Sequence, residues 1–171
     1  MKEIITKKLR LKPMDTSEWE SYVSHVIDAG EVYLQYGLEP SDELLKWIKE
    51  PTQDVIYYSI VPHDAGEAVG YVGITPSDNN LEYYVFREHR RKGYGSEAVA
   101  AFTSAYLAGA VTGGTEEAVV AETLTDNYAS IGMLEKIGYQ KHSEGIMILR
   151  DCSAAAVSIY TYPGCDDDIF A

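Results

Sequence analysis

Three consecutive segments rich in β-branched and aromatic residues, 54–62, 67–76 and 80–88, constrain the fold of this chain more than any other feature. Residues of these types favour strands. The short turn-forming sequences HDAG and SDNN separate the segments, and connections of this length join antiparallel neighbours. The sequence therefore predicts a three-stranded antiparallel meander in the middle of the chain.

Strands and helices are also predicted on either side of the meander. Residues 6–14 alternate as a strand does, and apolar residues recur at helical spacing in 17–28 and 40–50, with Asp15-Thr16 as the cap of the first helix. After the meander, helices are expected at 96–110 and 127–138, and strands at 117–124, 141–150 and 155–162. The order β-α-α-β-β-β-α-β-α-β-β mixes a meander with strand–helix–strand crossovers and predicts an α+β fold with a mixed sheet.

The length and composition of the chain fit one soluble domain. Its 171 residues are enough to bury a core, and no repeat or linker divides them, so a single domain is expected over 1–171. No stretch approaches the ~20 apolar residues of a membrane span, and the start lacks the apolar run of a signal peptide. Two cysteines do not make a disulfide framework. These features predict a cytoplasmic protein without a membrane partner.

Charge is distributed unevenly along the chain. With 27 acidic and 14 basic side chains, the formal net charge is −13, which disfavours nucleic acid as a partner because phosphates are repelled. Solubility is a simpler interpretation of the same acidity. Against this background, one basic cluster stands directly before Gly93, and it consists of His89, Arg90, Arg91 and Lys92. This local reversal of sign indicates a site for one anionic ligand.

The basic cluster lies in a glycine-containing loop between a predicted strand and a predicted helix. Gly93 and Gly95 allow close approach to the backbone, and the first turn of a helix offers unpaired N–H groups with a positive dipole end. These properties favour phosphate binding, although a tight turn with a solvated basic face gives the same pattern. A nucleotide-binding domain is disfavoured, because the preceding strands form a meander and no Gly-Lys-Ser/Thr follows the loop.

Residues 85–95, VFREHRRKGYG, resemble the acyl-CoA signature of the GNAT superfamily of N-acetyltransferases. That signature is Arg/Gln-x-x-Gly-x-Gly/Ala after an apolar strand, and it is filled by Arg90, Gly93 and Gly95. The second half of the family pattern is matched in AETLTDNYASIGMLEKIGY by Asn127, Ser130, Glu135, Lys136, Gly138 and Tyr139. The opening KKLRLKPMD is similar to the first strand of the branch that contains ribosomal-protein N-terminal acetyltransferases. The resemblance covers roughly residues 6–150.

The resemblance implies a GNAT-like mixed, mostly antiparallel sheet that splays apart, flanked by about four helices, with acetyl-CoA in the gap. The backbone of strand 80–88 pairs with the pantetheine in such a fold, and the N–H groups of 91–96 cradle the pyrophosphate. The residues implied to bind the cofactor are Val85, Phe86, Arg90, Arg91, Lys92, Gly93, Tyr94, Gly95, Ser96, Asn127 and Ser130. No metal is expected, because the four histidines lack the spacing of metal ligands.

The implied reaction is transfer of the acetyl group to a primary amine by direct attack in a ternary complex. Alkyl amines have pKa values near about 10 and must lose a proton before attack, so a carboxylate beside the thioester is the natural base. Glu122, five residues before Asn127, is the leading candidate, because one group of ribosomal-protein alanine acetyltransferases carries its glutamate there. Glu82, on the strand that faces the acyl group, is the reserve. Both also fit solvated strand residues.

Several residues are candidates for the acid that protonates the leaving thiolate. Many relatives carry a tyrosine seven residues after the asparagine, where this chain has Leu134. Ser130 occupies the hydroxyl position of the serine-type branch, with Tyr128 and Tyr139 as alternatives, and it also fits a small residue that allows close helix packing. Leu134 favours a second hypothesis, in which the protein binds acyl-CoA in a non-catalytic or regulatory role.

The acceptor is expected to be a cationic amine, either a small molecule or a protein N-terminus in a basic context. The segments expected to wall its site contain one basic residue, Lys46, against the acidic residues Glu18, Glu20, Asp28, Glu31, Glu39, Asp42 and Glu43. A cleft lined with one sign of charge attracts the opposite sign. The sequence leaves the choice between a monomer and a homodimer open.

Overall fold

Eight strands in the described residues form one sheet, and helices pack on both of its faces. The structure is a computed structural model that describes residues 1–36, 39–50, 54–112, 118–148 and 154–162. The strands are β1 (Ile4–Ile5), β2 (Leu9–Pro13), β3 (Ile56–Pro62), β4 (Gly70–Thr75), β5 (Asn80–Val85), β6 (Val119–Leu124), β7 (Gln140–Ile148) and β8 (Ala154–Tyr162). The helices are α1 (Thr16–Asp28), α2 (Val32–Tyr36), α3 (Asp42–Ile48), α4 (Tyr94–Leu107) and α5 (Tyr128–Lys136).

All neighbouring strands of the sheet run antiparallel except β5 and β6. The strand order is β1-β2-β3-β4-β5-β6-β8-β7, so the predicted meander is present as β3-β4-β5 and the α+β class is confirmed. The parallel pair is short, since it joins only Asn80 to Val120 and Leu81 to Ala121. Past these residues β5 continues beside β4, and β6 continues beside β8. The sheet therefore splays open between β5 and β6, as predicted.

Alternation of side chains along the strands builds two separate cores. On one face, Leu81 and Ala121 pack in a cluster with residues of α4 and α5, including Phe102. On the other face, Tyr71 and Tyr84 pack in a cluster with residues of α1 and α3. Consecutive strand residues point to opposite faces, so the gap between β5 and β6 is bounded by a different pair of helices on each side.

The first helix starts where the sequence predicts. Asp15 Oδ1 accepts hydrogen bonds from the backbone N–H groups of Ser17 (2.9 Å) and Glu18 (3.1 Å). Glu18 Oε2 in turn accepts from the Asp15 N–H (3.0 Å). This reciprocal cap satisfies N–H groups that have no partner within the helix. It fixes α1 on the sheet, where the rings of Trp19 and Tyr57 lie 4.6 Å apart between centroids.

Four of the helices, α1, α3, α4 and α5, contain seven residues or more, as the resemblance implies. The sequence analysis does not predict α2, because five residues are too few to show a helical period. Among the described residues, no helix combines the length and apolarity that crossing a membrane requires.

Among the strand boundaries that differ from the prediction, two have a clear local reason. The strand predicted at 6–14 begins at Leu9, because the Thr6 N–H donates to the Leu9 carbonyl (2.8 Å) and closes a turn before it. The strand predicted at 80–88 ends at Val85, because Arg87–His89 forms a 3₁₀ turn. Parts of two further predicted strands, residues 117 and 149–150, lie outside the described residues.

The close packing of β4 on β5 makes a test of the fold. A methyl group on Gly70 would lie 2.1 Å from the Tyr84 carbonyl oxygen. We therefore expect Gly70→Ala to lower the free energy of unfolding by about 3 kcal/mol, the upper end of the usual cost of overpacking. Gly132→Ala is the control, because nothing lies within 4 Å of its added methyl group. Removing a glycine from helix α5 should raise stability by about 0.5–1 kcal/mol. Urea unfolding of both variants is the measurement, and an unchanged Gly70→Ala protein contradicts this packing.

Candidate active site

A cleft of about 720 Å³ opens where β5 and β6 part. It is lined by β5, by the loop before α4, by β6 and by the first turns of α5. Its volume lies within the range of about 300–1,000 Å³ that is usual for small-molecule sites. Most of the residues that the resemblance implies for cofactor binding line it: Val85, Arg90, Arg91, Gly93, Tyr94, Gly95, Ser96, Asn127 and Ser130.

The loop before α4 has the backbone of an anion-binding site. Arg91 and Gly93 both have positive φ angles, 65° and 82°, a conformation that turns successive N–H groups toward one concave side. Gly93 is the N-cap of α4 and provides no side-chain hydrogen bond, so the first N–H groups of this helix face the cleft without a side-chain cap. A methyl group on Gly95 would lie 3.4 Å from both Val85 and Met133. Gly95 therefore lies in a close-packed position between β5 and α5.

The loop also gains positive charge from the start of the chain. Glu97 in the first turn of α4 accepts hydrogen bonds from Thr6 Oγ1 (2.6 Å) and from the Lys8 N–H (2.8 Å). These bonds hold the turn between β1 and β2 against α4. The Lys8 ammonium group consequently comes within 3.7 Å of a methyl group placed on Gly93. No local sequence pattern points to Lys8, because the contact depends on pairing between distant segments.

Arg90 is held by a carboxylate that the sequence analysis assigned to the acceptor wall. Its Nη1 and Nη2 atoms donate to Glu31 Oε1 (2.8 Å) and Oε2 (2.5 Å), and its Nε donates to the Val85 carbonyl (2.9 Å). The Tyr84 hydroxyl also donates to the Glu31 carboxylate, and Arg87 Nε lies 3.4 Å from Glu31 Oε1. Burial would raise the pKa of Glu31, but the bonds from Arg90 and Tyr84 and the nearby positive charges outweigh burial and lower that pKa. Arg90 and Glu31 thus neutralise each other and fix the loop to the α1–α2 connection.

Glu82 lies partly buried on the α1 face of β5, among tyrosines. Its carboxylate accepts hydrogen bonds from the hydroxyls of Tyr57 (3.0 Å) and Tyr71 (3.3 Å). Gln35 donates to the Tyr71 hydroxyl (2.7 Å) and completes the network. Burial raises the pKa of Glu82, and the two tyrosine bonds only partly offset it. The arrangement holds a carboxylate that takes up a proton more readily than an ordinary glutamate.

Glu122 lies on the same face of the sheet as Glu82. Leu81 is paired with Ala121, so the residue that follows on each strand points to the opposite face from this pair. Glu122 lines the cleft from β6, but it is exposed and makes no hydrogen bond to a described residue. The two candidate bases therefore flank one gap from its two sides, in different environments.

Ser130 and Asn127 lie at the start of α5, on the other side of the gap. Asn127 Oδ1 accepts from the Ser130 N–H (3.2 Å) as the cap of α5. This leaves the amide N–H groups of Asn127 as donors for the cleft. The Ser130 hydroxyl shares a short hydrogen bond with the Tyr83 hydroxyl. Burial raises the pKa of Tyr83 to about 12, so this hydroxyl keeps its proton at neutral pH.

Some of the residues named from the sequence lie elsewhere. Phe86 is buried against His25, with ring centroids 3.9 Å apart, and its N–H donates to Val69. Lys92 is exposed in the loop and does not line the cleft. Leu134 is fully buried in the core with α4. Tyr128 is 77% exposed, and the Tyr139 hydroxyl is hydrogen-bonded to Thr103 in the core. Of the three hydroxyl candidates, Ser130 alone lines the cleft.

The ion pair of Glu31 generates a prediction for acid stability. A carboxyl group whose pKa is lowered by folding stabilises the protein above its ordinary pKa, here 4.5, and this stabilisation is lost as pH falls through the folded value. We expect Glu31→Gln to be less stable at neutral pH and to lose less stability on acidification than the parent. Melting curves between about pH 3 and pH 7 measure this. Exposed Glu20→Gln is the control, and an acid dependence of Glu31→Gln as steep as the parent's contradicts the assignment.

Residues 8–140 match the acetyltransferase (GNAT) domain family. By sequence, no curated protein matches this chain. In the described residues, no three His, Cys, Asp or Glu side chains cluster closely enough to hold a metal ion.

Solved structures of other proteins share the fold at low sequence identity. An acetyltransferase (GNAT family) from Bacillus anthracis has a TM-score of 0.74 and 14% identity, over 94% of this chain and 97% of its own. An acetyl transferase from Salmonella typhimurium that modifies the N-terminal serine of a 50S ribosomal subunit protein has a TM-score of 0.67 and 18% identity, over 94% and 98%. A ribosomal alpha-N-protein acetyltransferase in complex with coenzyme A has a TM-score of 0.65 and 16% identity, over 94% of this chain and 97% of its own. The family match covers most of the chain and agrees with the splayed sheet and the glycine loop, and the chain therefore belongs to the GNAT acetyltransferase family.

Proposed function

We propose that this protein is an N-acetyltransferase, a single domain over residues 1–171 that transfers the acetyl group of acetyl-CoA to a primary amine in a ternary complex. The observation that carries the proposal is the cleft between β5 and β6. It has an anion-binding loop at its mouth and the proton-accepting Glu82 on its inner wall. The family supplies the acetyl donor, and the side chains around the gap supply the proton transfers.

The residues present fit coenzyme A. Backbone N–H groups from 91–96, with the positive charges of Arg91 and Lys8, suit a pyrophosphate at the N-terminus of α4. The edge of β5 past Leu81 has no strand partner toward β6, which suits an extended amide-containing arm. Asn127 offers its amide donors from the opposite wall. A fold neighbour in complex with coenzyme A is consistent with this placement.

Glu82 is the preferred base in this proposal, ahead of Glu122. A base works best when its pKa is close to the working pH, and burial moves the pKa of Glu82 in that direction. The cationic amine first loses one proton to Glu82. As its nitrogen then bonds to the acetyl carbon, the C–S bond breaks, the nitrogen releases its second proton to solvent, and the leaving sulfur takes up a proton from the Tyr83–Ser130 pair. Glu122 stays the second candidate, because it faces the same gap from β6.

The Tyr83–Ser130 pair is the preferred acid. The Tyr83 hydroxyl is hydrogen-bonded to that of Ser130, and both residues line the cleft. It supplies the hydroxyl that the family pattern places at the position of Leu134. This pair and the tyrosine-bound Glu82 favour a catalytic role over the alternative of a non-catalytic acyl-CoA-binding or regulatory protein.

The acceptor in this proposal is a cationic amine, either a protein N-terminus or a small molecule. One fold neighbour modifies the N-terminal serine of a ribosomal protein, which makes a protein terminus one option. One of the acidic residues expected to attract a cation, Glu31, is neutralised by Arg90. Glu18 is also engaged, since it accepts from Ser59 and lies near Lys12. The protein works as a monomer or as a homodimer.

Arg91 allows a test of the cofactor loop. A non-glycine residue at a φ of 65° is strained, so Arg91→Gly should raise the stability of the free protein by about 1 kcal/mol. It should also weaken coenzyme A binding, because a charge beside the pyrophosphate is lost. Arg91→Ala is the matched control, which removes the charge and keeps the strain. Calorimetric titration with coenzyme A and melting without ligand measure both effects. Unchanged affinity in both variants contradicts the loop assignment.

Glu82→Gln tests the base. The substitution keeps size and hydrogen bonding but cannot accept a proton, so kcat should fall by ~10²-fold or more with the affinity for acetyl-CoA little changed. Because the pKa of Glu82 is raised, the acid limb of kcat/KM in the parent should lie above the ordinary value of 4.5. That limb should be missing from the residual activity of the variant. Glu122→Gln, assayed beside it, is expected to be near the parent, and the reverse pattern would make Glu122 the base.

A further inference from the structure

A second recess, of about 270 Å³, opens beside the cleft on the α1 face of the sheet. It is formed between α1, α2, α3 and the strands β3 to β5, and four aromatic residues line it: Trp19, Tyr36, Trp47 and Tyr57. Glu82, Tyr36 and Thr75 line both the recess and the cleft. The two cavities therefore meet at the carboxylate that the proposed function uses as its base.

The chemistry of the recess walls favours an apolar group attached to a cation. Trp19 donates its Nε1–H to the Ile48 carbonyl (3.1 Å), so its indole offers only an apolar surface to a ligand. Tyr36 packs edge to face with Trp47, with ring centroids 6.3 Å apart. The charged side chains among the described lining residues are both carboxylates, Glu50 and Glu82. Aromatic faces and carboxylates together attract an organic ammonium ion.

Tyr36 supplies an independent observation at the junction of the two cavities. Its hydroxyl is buried beside that of Tyr22, and neither makes a regular hydrogen bond to a described residue. A buried polar group without a partner is uncommon in folded proteins and calls for an explanation. A polar group of a ligand that crosses from the recess into the cleft would provide this partner.

We propose that the recess binds the substituent of the acceptor, so that the amine reaches Glu82 while the acetyl group arrives from the cleft. The substrate class is a primary amine that carries one apolar, preferably aromatic, group of about the size of an amino-acid side chain. The size follows from the volume of the recess, which is below the usual range for a drug-sized ligand. This inference rests on the proposed function and narrows its acceptor.

The tryptophans make occupancy measurable without catalysis. The chain contains two tryptophans, Trp19 and Trp47, and both line the recess. Intrinsic tryptophan fluorescence of the protein saturated with coenzyme A should therefore change saturably when phenethylamine is added. Ethanolamine carries the same charge without an aromatic group, and we expect it to bind at least about 10-fold more weakly. Equal apparent affinities for the two amines, or no fluorescence change with either, would overturn the inference.

Substitutions test whether the recess, rather than its surroundings, selects the amine. Trp47→Ala should lower kcat/KM for phenethylamine at least about 10-fold more than kcat/KM for ethanolamine, and leave coenzyme A affinity unchanged. Trp47→Leu fills part of the space without an aromatic ring and serves if the alanine variant folds poorly. Tyr33→Ala is the matched control, because Tyr33 lies on the exposed side of the same helix as Tyr36. Equal losses for both amines, or the same loss in Tyr33→Ala, contradict the proposal.

Two further comparisons show which kind of amine is preferred and which of the two proposals fails. A short peptide with an N-terminal phenylalanine, compared with phenethylamine, shows whether a protein terminus or a free amine is preferred. If neither is acetylated while fluorescence still reports selective binding, the recess inference stands and the proposed function fails. If both are acetylated at rates that do not depend on the apolar group, the function stands and the recess inference fails.

Discussion

The separation of β5 from β6 is the constraint on which the rest of this structure depends. Each strand is held by its outer neighbour, β5 by β4 up to Val85 and β6 by β8 up to Leu124, after their mutual pairing has ended at Leu81 and Ala121. The gap is therefore a fixed property of two well-paired half-sheets. The glycine loop, α5 and the acceptor-side helices are all arranged around it.

In the proposed function, one strand would serve both proton transfers. Glu82 and Tyr83 are consecutive residues of β5, so their side chains point to opposite faces of the sheet. Glu82 meets the tyrosines of the α1 side, and Tyr83 meets Ser130 of α5. The open edge of the strand runs between them. A thioester at that edge would have a proton acceptor on the amine side and a proton donor on the thiol side without any movement of the backbone.

The sequence predicted those features that depend on neighbouring residues. The meander, the Asp15 cap and the glycine loop before α4 are encoded within short segments, and all are present. The contacts that set the chemistry join distant segments, as in Glu31 with Arg90 and Tyr83 with Ser130, which are 59 and 47 residues apart. Strand alternation alone assigns Tyr83 to the face opposite Glu82, but only the packing of α5 brings a serine to it. The aromatic recess likewise requires three helices and three strands to converge.

The unpaired edges within the sheet have a consequence for how the protein behaves among other proteins. Strand edges with free N–H and C=O groups invite pairing with other chains, and folded proteins limit this hazard with short or covered edges. At the gap the unpaired lengths are confined to residues 82–85 and 122–124. They face each other across a cleft that α4 and α5 cover on one side. These two inner edges therefore offer only a few unpaired backbone groups to a strand of another protein.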